Sequence, residues 1–139
     1  MKVVVLGAGL MGNEVACDLV ASQAVEKIFL ADVAPETAKE FVSTLNTDKI
    51  EIVQLNAECD DALREVIARG NVVVNALFYT FNERVAKAAI DTGVHAVDLG
   101  GHIGGITEKV LDLNEEAAKK NVTIVPDLGV APGMANILA

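Results

Sequence analysis

The sequence predicts a single α/β domain whose doubly wound parallel sheet has six strands with helices on both faces. Short β-branched runs alternate with longer amphipathic segments along the 139 residues, which is typical of βαβ units. Hydrophobic residues make up 52% of the chain but aromatic residues only 4%, so the core must consist of Val, Ile, Leu and Ala. Such a core suits a sheet that is buried on both faces, and the length corresponds to one domain.

The predicted strands and helices follow one another in strict order. The six β-branched runs that we expect to form strands lie at residues 2–6, 27–31, 50–55, 71–76, 94–99 and 122–126. The amphipathic segments that we expect to form helices lie at residues 10–22, 35–45, 61–69, 82–92 and 107–120. Pro35 in a first helical turn and Gly93 directly after a helix mark a beginning and an end.

The first predicted strand leads directly into a glycine-rich turn. The turn reads G-x-G-x-x-G and consists of Gly7, Ala8, Gly9, Leu10, Met11 and Gly12. A strand before it and a helix after it are the context that the dinucleotide-binding, or Rossmann, fingerprint requires. Gly7 permits the tight turn, Gly9 lets a pyrophosphate approach the backbone, and Gly12 lets the helix pack closely on the sheet. We therefore expect these six residues to bind the cofactor, with the helix N-terminus facing its phosphates.

An acidic residue follows the second predicted strand at the spacing that the fingerprint expects. Asp32 comes about 20 residues after Gly12 and is expected to accept a hydrogen bond from a ribose 2′-hydroxyl. Because a carboxylate would repel a 2′-phosphate and no Arg follows it, the sequence favours NAD over NADP as the cofactor. In the alternative interpretation the glycines only form a tight turn and Asp32 caps the helix that begins near Pro35.

The segment after the fourth predicted strand is expected to pass beneath the second half of the cofactor. Ligands of open α/β sheets bind outside the carboxyl ends of the strands, and Asn75, Ala76 and Leu77 lie at this end of the strand. We expect backbone contacts from these three residues to the cofactor. The alternative is a purely structural loop, with Asn82 as the N-cap of the next helix and Phe78 in the core.

Two titratable residues follow the fifth predicted strand and are candidates for catalysis. Asp98 and His102 flank a glycine pair that leaves room for a ligand, and the unperturbed pKa of a histidine lies close to neutrality. The alternative is a glycine-rich turn with a solvated histidine. The sequence contains no nucleophile–base arrangement and no metal-ligand spacing.

Composition excludes several classes of partner. Lys and Arg number 11 against 20 Asp and Glu, which gives a formal net charge of −9. A nucleic acid or an anionic membrane needs a basic surface, so neither is an expected partner. No apolar run is long enough to span a bilayer. Cys17 and Cys59 lack metal or redox spacing and are expected to be reduced thiols of a cytoplasmic protein.

Two segments of the second half resemble a known family. These are DLGG at residues 98–101 and GVAPGMAN at residues 129–136. With them the whole chain resembles the saccharopine dehydrogenase family, and within it the lysine 6-dehydrogenases. The resemblance implies an NAD(P)-dependent oxidoreductase that acts on the C–N bond of a small-molecule amino acid. It also implies that the full-length enzyme is a homo-oligomer.

The resemblance also implies a division of the chain. Residues 1–128 would form the dinucleotide-binding domain, and residues 129–139 would begin the hinge and helix towards a substrate domain. The apolar sequence at residues 137–139 leads us to expect a fragment without that domain and with little activity of its own. The main catalytic groups would then lie in the missing part. The alternative function is a stand-alone nucleotide-sensing regulatory domain.

Overall fold

A six-stranded parallel sheet organises the protein, as the sequence predicts. The computed structural model describes residues 1–101 and 104–139. The strands are β1 (Lys2–Leu6), β2 (Lys27–Asp32), β3 (Ile50–Gln54), β4 (Val72–Asn75), β5 (His95–Asp98) and β6 (Ile124–Val125). They are arranged in the order β3-β2-β1-β4-β5-β6, and every neighbouring pair is parallel. This order defines the doubly wound dinucleotide-binding fold, so the predicted fold class is confirmed.

Helices connect the strands and cover both faces of the sheet. They are α1 (Leu10–Ala21), α2 (Pro35–Thr44), α3 (Asp60–Ile67), α4 (Asn82–Thr92), α5 (Ile106–Leu111), α6 (Asn114–Lys119) and α7 (Ala135–Leu138). A short 3₁₀ turn, Tyr79–Phe81, precedes α4, and an irregular turn, Val130–Met134, precedes α7. The left-handed Gly93 ends α4 with a φ of 72°, as its place in the sequence predicts.

The prediction of a single helix over residues 107–120 is wrong, because two helices, α5 and α6, lie there. The backbone N–H of Leu113 donates to the carbonyl of Val110, which tightens the turn and interrupts the i→i+4 ladder between α5 and α6. The last strand is also shorter than expected. Val122 is unavailable to it because its N–H closes the end of α6 on the carbonyl of Ala117, and Pro126 has no N–H to donate.

The core lies on both faces of the sheet, which explains the uninterrupted apolar runs. In β1, Val3 and Val5 pack on one face, whereas Val4 and Leu6 pack on the other. All four side chains are fully buried. A strand covered on both sides has no solvent face on which to place polar residues.

The carboxyl ends of the strands form one edge of the sheet. In the register of the central strands, Leu6 pairs with Ala31 on one side and with Asn75 on the other, and Asn75 pairs with Asp98. The chain order reverses between β1 and β4, and ligands of this fold bind at such a reversal. No described helix is long and apolar enough to cross a membrane.

Candidate functional site

The glycine-rich turn lies at the reversal point, and its three glycines have different structural reasons. Gly7 has a φ of 93°, and a Cβ there would lie 2.9 Å from the carbonyl oxygen of Ala76. A Cβ on Gly12 would overlap the carbonyl oxygen of Gly7. A Cβ on Gly9 would meet nothing within 4 Å. Gly7 and Gly12 are therefore required by packing, whereas Gly9 leaves its backbone open to an incoming group.

The N-terminus of α1 opens into this space. Its first intrahelical hydrogen bond joins the N–H of Asn13 to the carbonyl of Gly9 at 3.0 Å. The N–H groups of Leu10, Met11 and Gly12 precede that bond and have no intrahelical partner. No side chain among residues 1–101 and 104–139 caps the helix, and its first turn carries no acid, while Leu10 is 89% exposed. The open backbone, the free donors and the positive end of the helix dipole fit a pyrophosphate.

The carboxylate of Asp32 joins the glycine-rich turn to the end of β2. Its Oδ2 accepts the N–H of Ala8 at 2.7 Å, and its Oδ1 accepts the N–H of Ala34 at 2.8 Å. Ala34 is the N-cap residue of α2, so Asp32 supports the start of that helix, close to the role in the alternative interpretation. The carboxylate lies where the fingerprint predicts, but each oxygen already holds a backbone N–H of the protein itself.

The residues after β4 pack directly against the glycine-rich turn. The N–H of Ala76 donates to the carbonyl of Leu6 at 2.9 Å, and the side chain of Leu77 lies close to Gly7. The side chain of Asn75 is buried. The structure therefore brings the predicted backbone segment beside the turn, and its contact with a cofactor stays a prediction.

The alternative interpretation of the same loop, with Asn82 as an N-cap and Phe78 in the core, is wrong in both details. Asn82 is the first residue of α4 rather than its N-cap, which is Phe81, and it makes no capping hydrogen bond. Phe78 is 65% exposed, and its ring contacts that of Tyr79 with the centroids 4.2 Å apart and the planes tilted by 41°. Asn82 instead binds Asn75 and the carbonyl of Gly100. The one sign of this pairing in the sequence is that two asparagines lie close to the end of an apolar strand.

Asp98 lies at the end of β5 and is buried. Its Oδ1 accepts the N–H of Gly100 at 2.8 Å and that of Asp127 at 2.9 Å. Burial raises the pKa of Asp98, the two backbone hydrogen bonds oppose this, and the nearby carboxylate of Asp127 adds to it. A carboxyl group in this state can bind a proton more readily than a solvated one. His102, the second candidate, lies outside the described residues.

Asp127 is a member of this region that the sequence analysis missed. It follows β6 with a left-handed φ of 62°, and its Oδ2 accepts the hydroxyl of Thr107 at 3.0 Å. Its Oδ1 is buried without a hydrogen-bond partner among the described residues. The parallel topology could have suggested that an acid after the sixth strand lies beside one after the fifth. In the part of the chain that is described, no cluster of His, Cys, Asp or Glu is arranged to hold a metal ion.

Comparisons with known proteins agree on one family. Residues 3–125 match the family model described as the saccharopine dehydrogenase NADP binding domain. The saccharopine dehydrogenase [NADP(+), L-glutamate-forming] of Saccharomyces cerevisiae is 26% identical over 138 residues, which cover 99% of this chain and 29% of that protein. The mitochondrial alpha-aminoadipic semialdehyde synthase of Rattus norvegicus is 26% identical over 141 residues, which cover 99% of this chain and 14% of that protein. The chain thus spans less than a third of these relatives.

Solved structures show the same fold. The apo saccharopine dehydrogenase (L-Glu forming) from Saccharomyces cerevisiae superposes with a TM-score of 0.84 at 24% identity, over 99% of this chain and 29% of that one. The triphenylmethane reductase of Citrobacter sp., complexed with NADP(H), superposes with a TM-score of 0.66 at 18% identity. The match covers 91% of this chain and 48% of the reductase.

The preference for NAD over NADP that the sequence analysis derived from Asp32 is wrong. The matching family model is that of an NADP binding domain. A carboxylate excludes a 2′-phosphate only where it is a free group facing the ribose. In the structure both oxygens of Asp32 are engaged by the N–H groups of Ala8 and Ala34, which gives the carboxylate a structural role that spacing alone could not show.

Proposed function

The chain belongs to the saccharopine dehydrogenase NADP-binding domain family, and on that premise we propose that it binds NADP across the carboxyl edge of its sheet. The observation that carries the proposal is the open turn at Gly9, which exposes its backbone beside the uncapped N-terminus of α1. A dinucleotide placed there has its pyrophosphate at the chain reversal between β1 and β4.

The residues of the turn would hold the pyrophosphate through backbone atoms. The N–H groups of Leu10, Met11 and Gly12 are the donors that the helix itself leaves unused. The adenosine half would extend towards the end of β2, and the nicotinamide half towards the ends of β4 and β5. The backbone of Asn75, Ala76 and Leu77 would then lie beneath the nicotinamide half. NADP, when bound, supplies the hydride acceptor of an oxidation.

The parent enzyme, by this proposal, is an oxidoreductase that acts on the C–N bond of an amino acid. The names of the Saccharomyces and Rattus relatives support it, because they refer to saccharopine and to alpha-aminoadipic semialdehyde. Family membership favours this function over a nucleotide-sensing domain. Lysine as substrate, homo-oligomerisation, a cytoplasmic location and the catalytic roles of Asp98 and His102 stay predictions, as does a hinge at residues 129–139.

Calorimetric titration of the purified chain tests the proposal. We expect NADP to bind with a Kd below about 1 mM, the upper end of common substrate affinities. 2′-Phospho-ADP-ribose, which is NADP without nicotinamide, should also bind because it keeps the pyrophosphate. NAD should bind more weakly than NADP. No binding of either phosphorylated ligand would contradict the proposed function, whereas equal or tighter binding of NAD would contradict only the choice of NADP.

A further inference from the structure

The buried polar side chains of the described chain are concentrated in one place. Asn75 is 2% exposed, and Asn82 and Asp98 are each 5% exposed. They are the polar or charged residues buried in the described ranges, and they all lie at the ends of β4 and β5 or at the start of α4. Burying amides and carboxyls is costly unless each finds a partner, so their concentration at one edge calls for an explanation.

These side chains form a connected set of hydrogen bonds. The amide of Asn75 donates from Nδ2 to Oδ1 of Asn82 at 2.8 Å, and its own Oδ1 accepts the N–H of Leu77 at 3.2 Å. Asn82 donates from Nδ2 to the carbonyl oxygen of Gly100 at 3.3 Å. The N–H of Gly100 donates to Asp98. Gly100 is thus held through both of its backbone polar groups.

The loop that these hydrogen bonds hold contains two adjacent glycines with unusual backbone angles. Gly100 and Gly101 have φ values of 106° and 129°, which residues with side chains rarely adopt, and glycine loses the most conformational freedom when it is fixed. A Cβ on Gly101 would overlap Tyr79, so the loop lies tightly on the turn that precedes Asn82. The side-chain hydrogen bonds to Gly100 therefore help to hold residues 99–101 in one conformation.

The network also reaches the glycine-rich turn. Asn75 is followed by Ala76, whose carbonyl lies beside Gly7, and by Leu77, whose side chain lies against the same glycine. A single set of contacts therefore links the turn expected to hold the pyrophosphate with the loop after β5. That loop lies on the β4–β5 side of the turn, where the nicotinamide half of a dinucleotide extends in this fold.

We propose that Asn82 is a positioning residue for the nicotinamide half of the cofactor: its hydrogen bonds to Asn75 and to Gly100 hold residues 99–101 at the site. This inference rests on the proposed function. An apolar side chain at this position would leave the buried amide of Asn75 and the carbonyl of Gly100 without these partners, which is costly. The amide of Asn82 is therefore what joins the end of β4 to the loop after β5.

The variant Asn82→Asp removes the donor to Gly100 and keeps the acceptor for Asn75. Aspartate keeps an oxygen acceptor for the amide of Asn75 but presents an oxygen, instead of a donor, to the carbonyl of Gly100. We expect the affinity for NADP to fall roughly tenfold, the value of about one hydrogen bond. The affinity for 2′-phospho-ADP-ribose should stay within about twofold, because that ligand lacks nicotinamide. Calorimetry with both ligands measures the difference.

Two further variants complete the experiment. Asn82→Leu removes the donor to Gly100 without introducing a charge, and it also removes the acceptor for the amide of Asn75. It should therefore give the same selective loss of NADP affinity together with a lower free energy of unfolding. Asn114→Asp is the matched control, because Asn114 is also the first residue of a helix but is exposed; neither ligand should be affected. Urea unfolding checks that each variant is folded.

Several outcomes would overturn the inference. Equal weakening of both ligands, or failure of both Asn82 variants to fold, would give Asn82 a purely structural role. Unchanged NADP affinity would show that the loop needs no positioning, and so would a wild-type chain that binds the two ligands equally well. A wild-type chain that binds neither ligand would instead refute the proposed function, so the two failures are distinguishable.

Discussion

The variant Gly9→Asp is expected to lower NADP affinity by at least about 100-fold, since a unit charge about 4 Å from a phosphate costs several kcal/mol near a protein surface. Gly9 is the N-cap residue of α1 and has extended backbone angles that any residue can adopt. A carboxylate at an N-cap accepts the same first-turn N–H groups that a pyrophosphate needs. It would therefore compete with the ligand as well as repel it.

The same variant should leave the protein as stable as before. A Cβ on Gly9 meets nothing within 4 Å, and an aspartate N-cap stabilises a helix by up to a few tenths of a kcal/mol relative to glycine. Calorimetry and urea unfolding give the two readouts. Gly9→Asn is the matched control, because it occupies the same donors without the charge and should cause a smaller loss of affinity. Undiminished NADP binding by Gly9→Asp would contradict the assignment of the turn.

The variant Gly12→Ala, in contrast to Gly9→Asp, is expected to lower the stability of the protein. Its Cβ would overlap the carbonyl oxygen of Gly7. Gly7 directly follows a strand whose last four residues are fully buried, so this oxygen cannot move without displacing the turn. We expect the free energy of unfolding to fall by about 3 kcal/mol, the upper end of the usual cost of overpacking. Urea unfolding monitored by circular dichroism measures this change.

Gly9→Ala provides the control for this effect, because the same methyl group is added three residues earlier in open space. It should change the free energy of unfolding by no more than about 1 kcal/mol. A free energy of unfolding of Gly12→Ala that matches that of Gly9→Ala would show that the close contact of α1 with the turn is not as the structure describes.

Most of the fold could be predicted because its central strands are buried on both faces. After an initial lysine the run at β1 is apolar, as is the run at β2 until Asp32, and the left-handed Gly93 marks the end of α4. The errors lie where the hydrophobic pattern does not determine the local backbone structure. Val110, Leu113 and Ala117 share one apolar cluster, as they would on one continuous helix, although α5 and α6 are separate. Their spacing could not reveal the tight turn at Leu113.

The candidate site could be located from the sequence, but its hydrogen bonds could not. The spacing of Gly12 and Asp32 placed both at the carboxyl edge. It did not show that the oxygens of Asp32 bind the backbone, and this led to the wrong choice of cofactor. The roles of Asn82 and Asp127 were missed because their partners, Gly100 and Asp98, are distant in sequence and meet only through the sheet.

Backbone amide NMR of the ¹⁵N-labelled chain during titration with NADP tests the central claim most directly. The account predicts that the largest shift changes occur at residues 7–12, above all at the amides of Leu10, Met11 and Gly12, which precede the first hydrogen bond of α1. Saturable shifts that are largest elsewhere, with these amides unmoved, would contradict it.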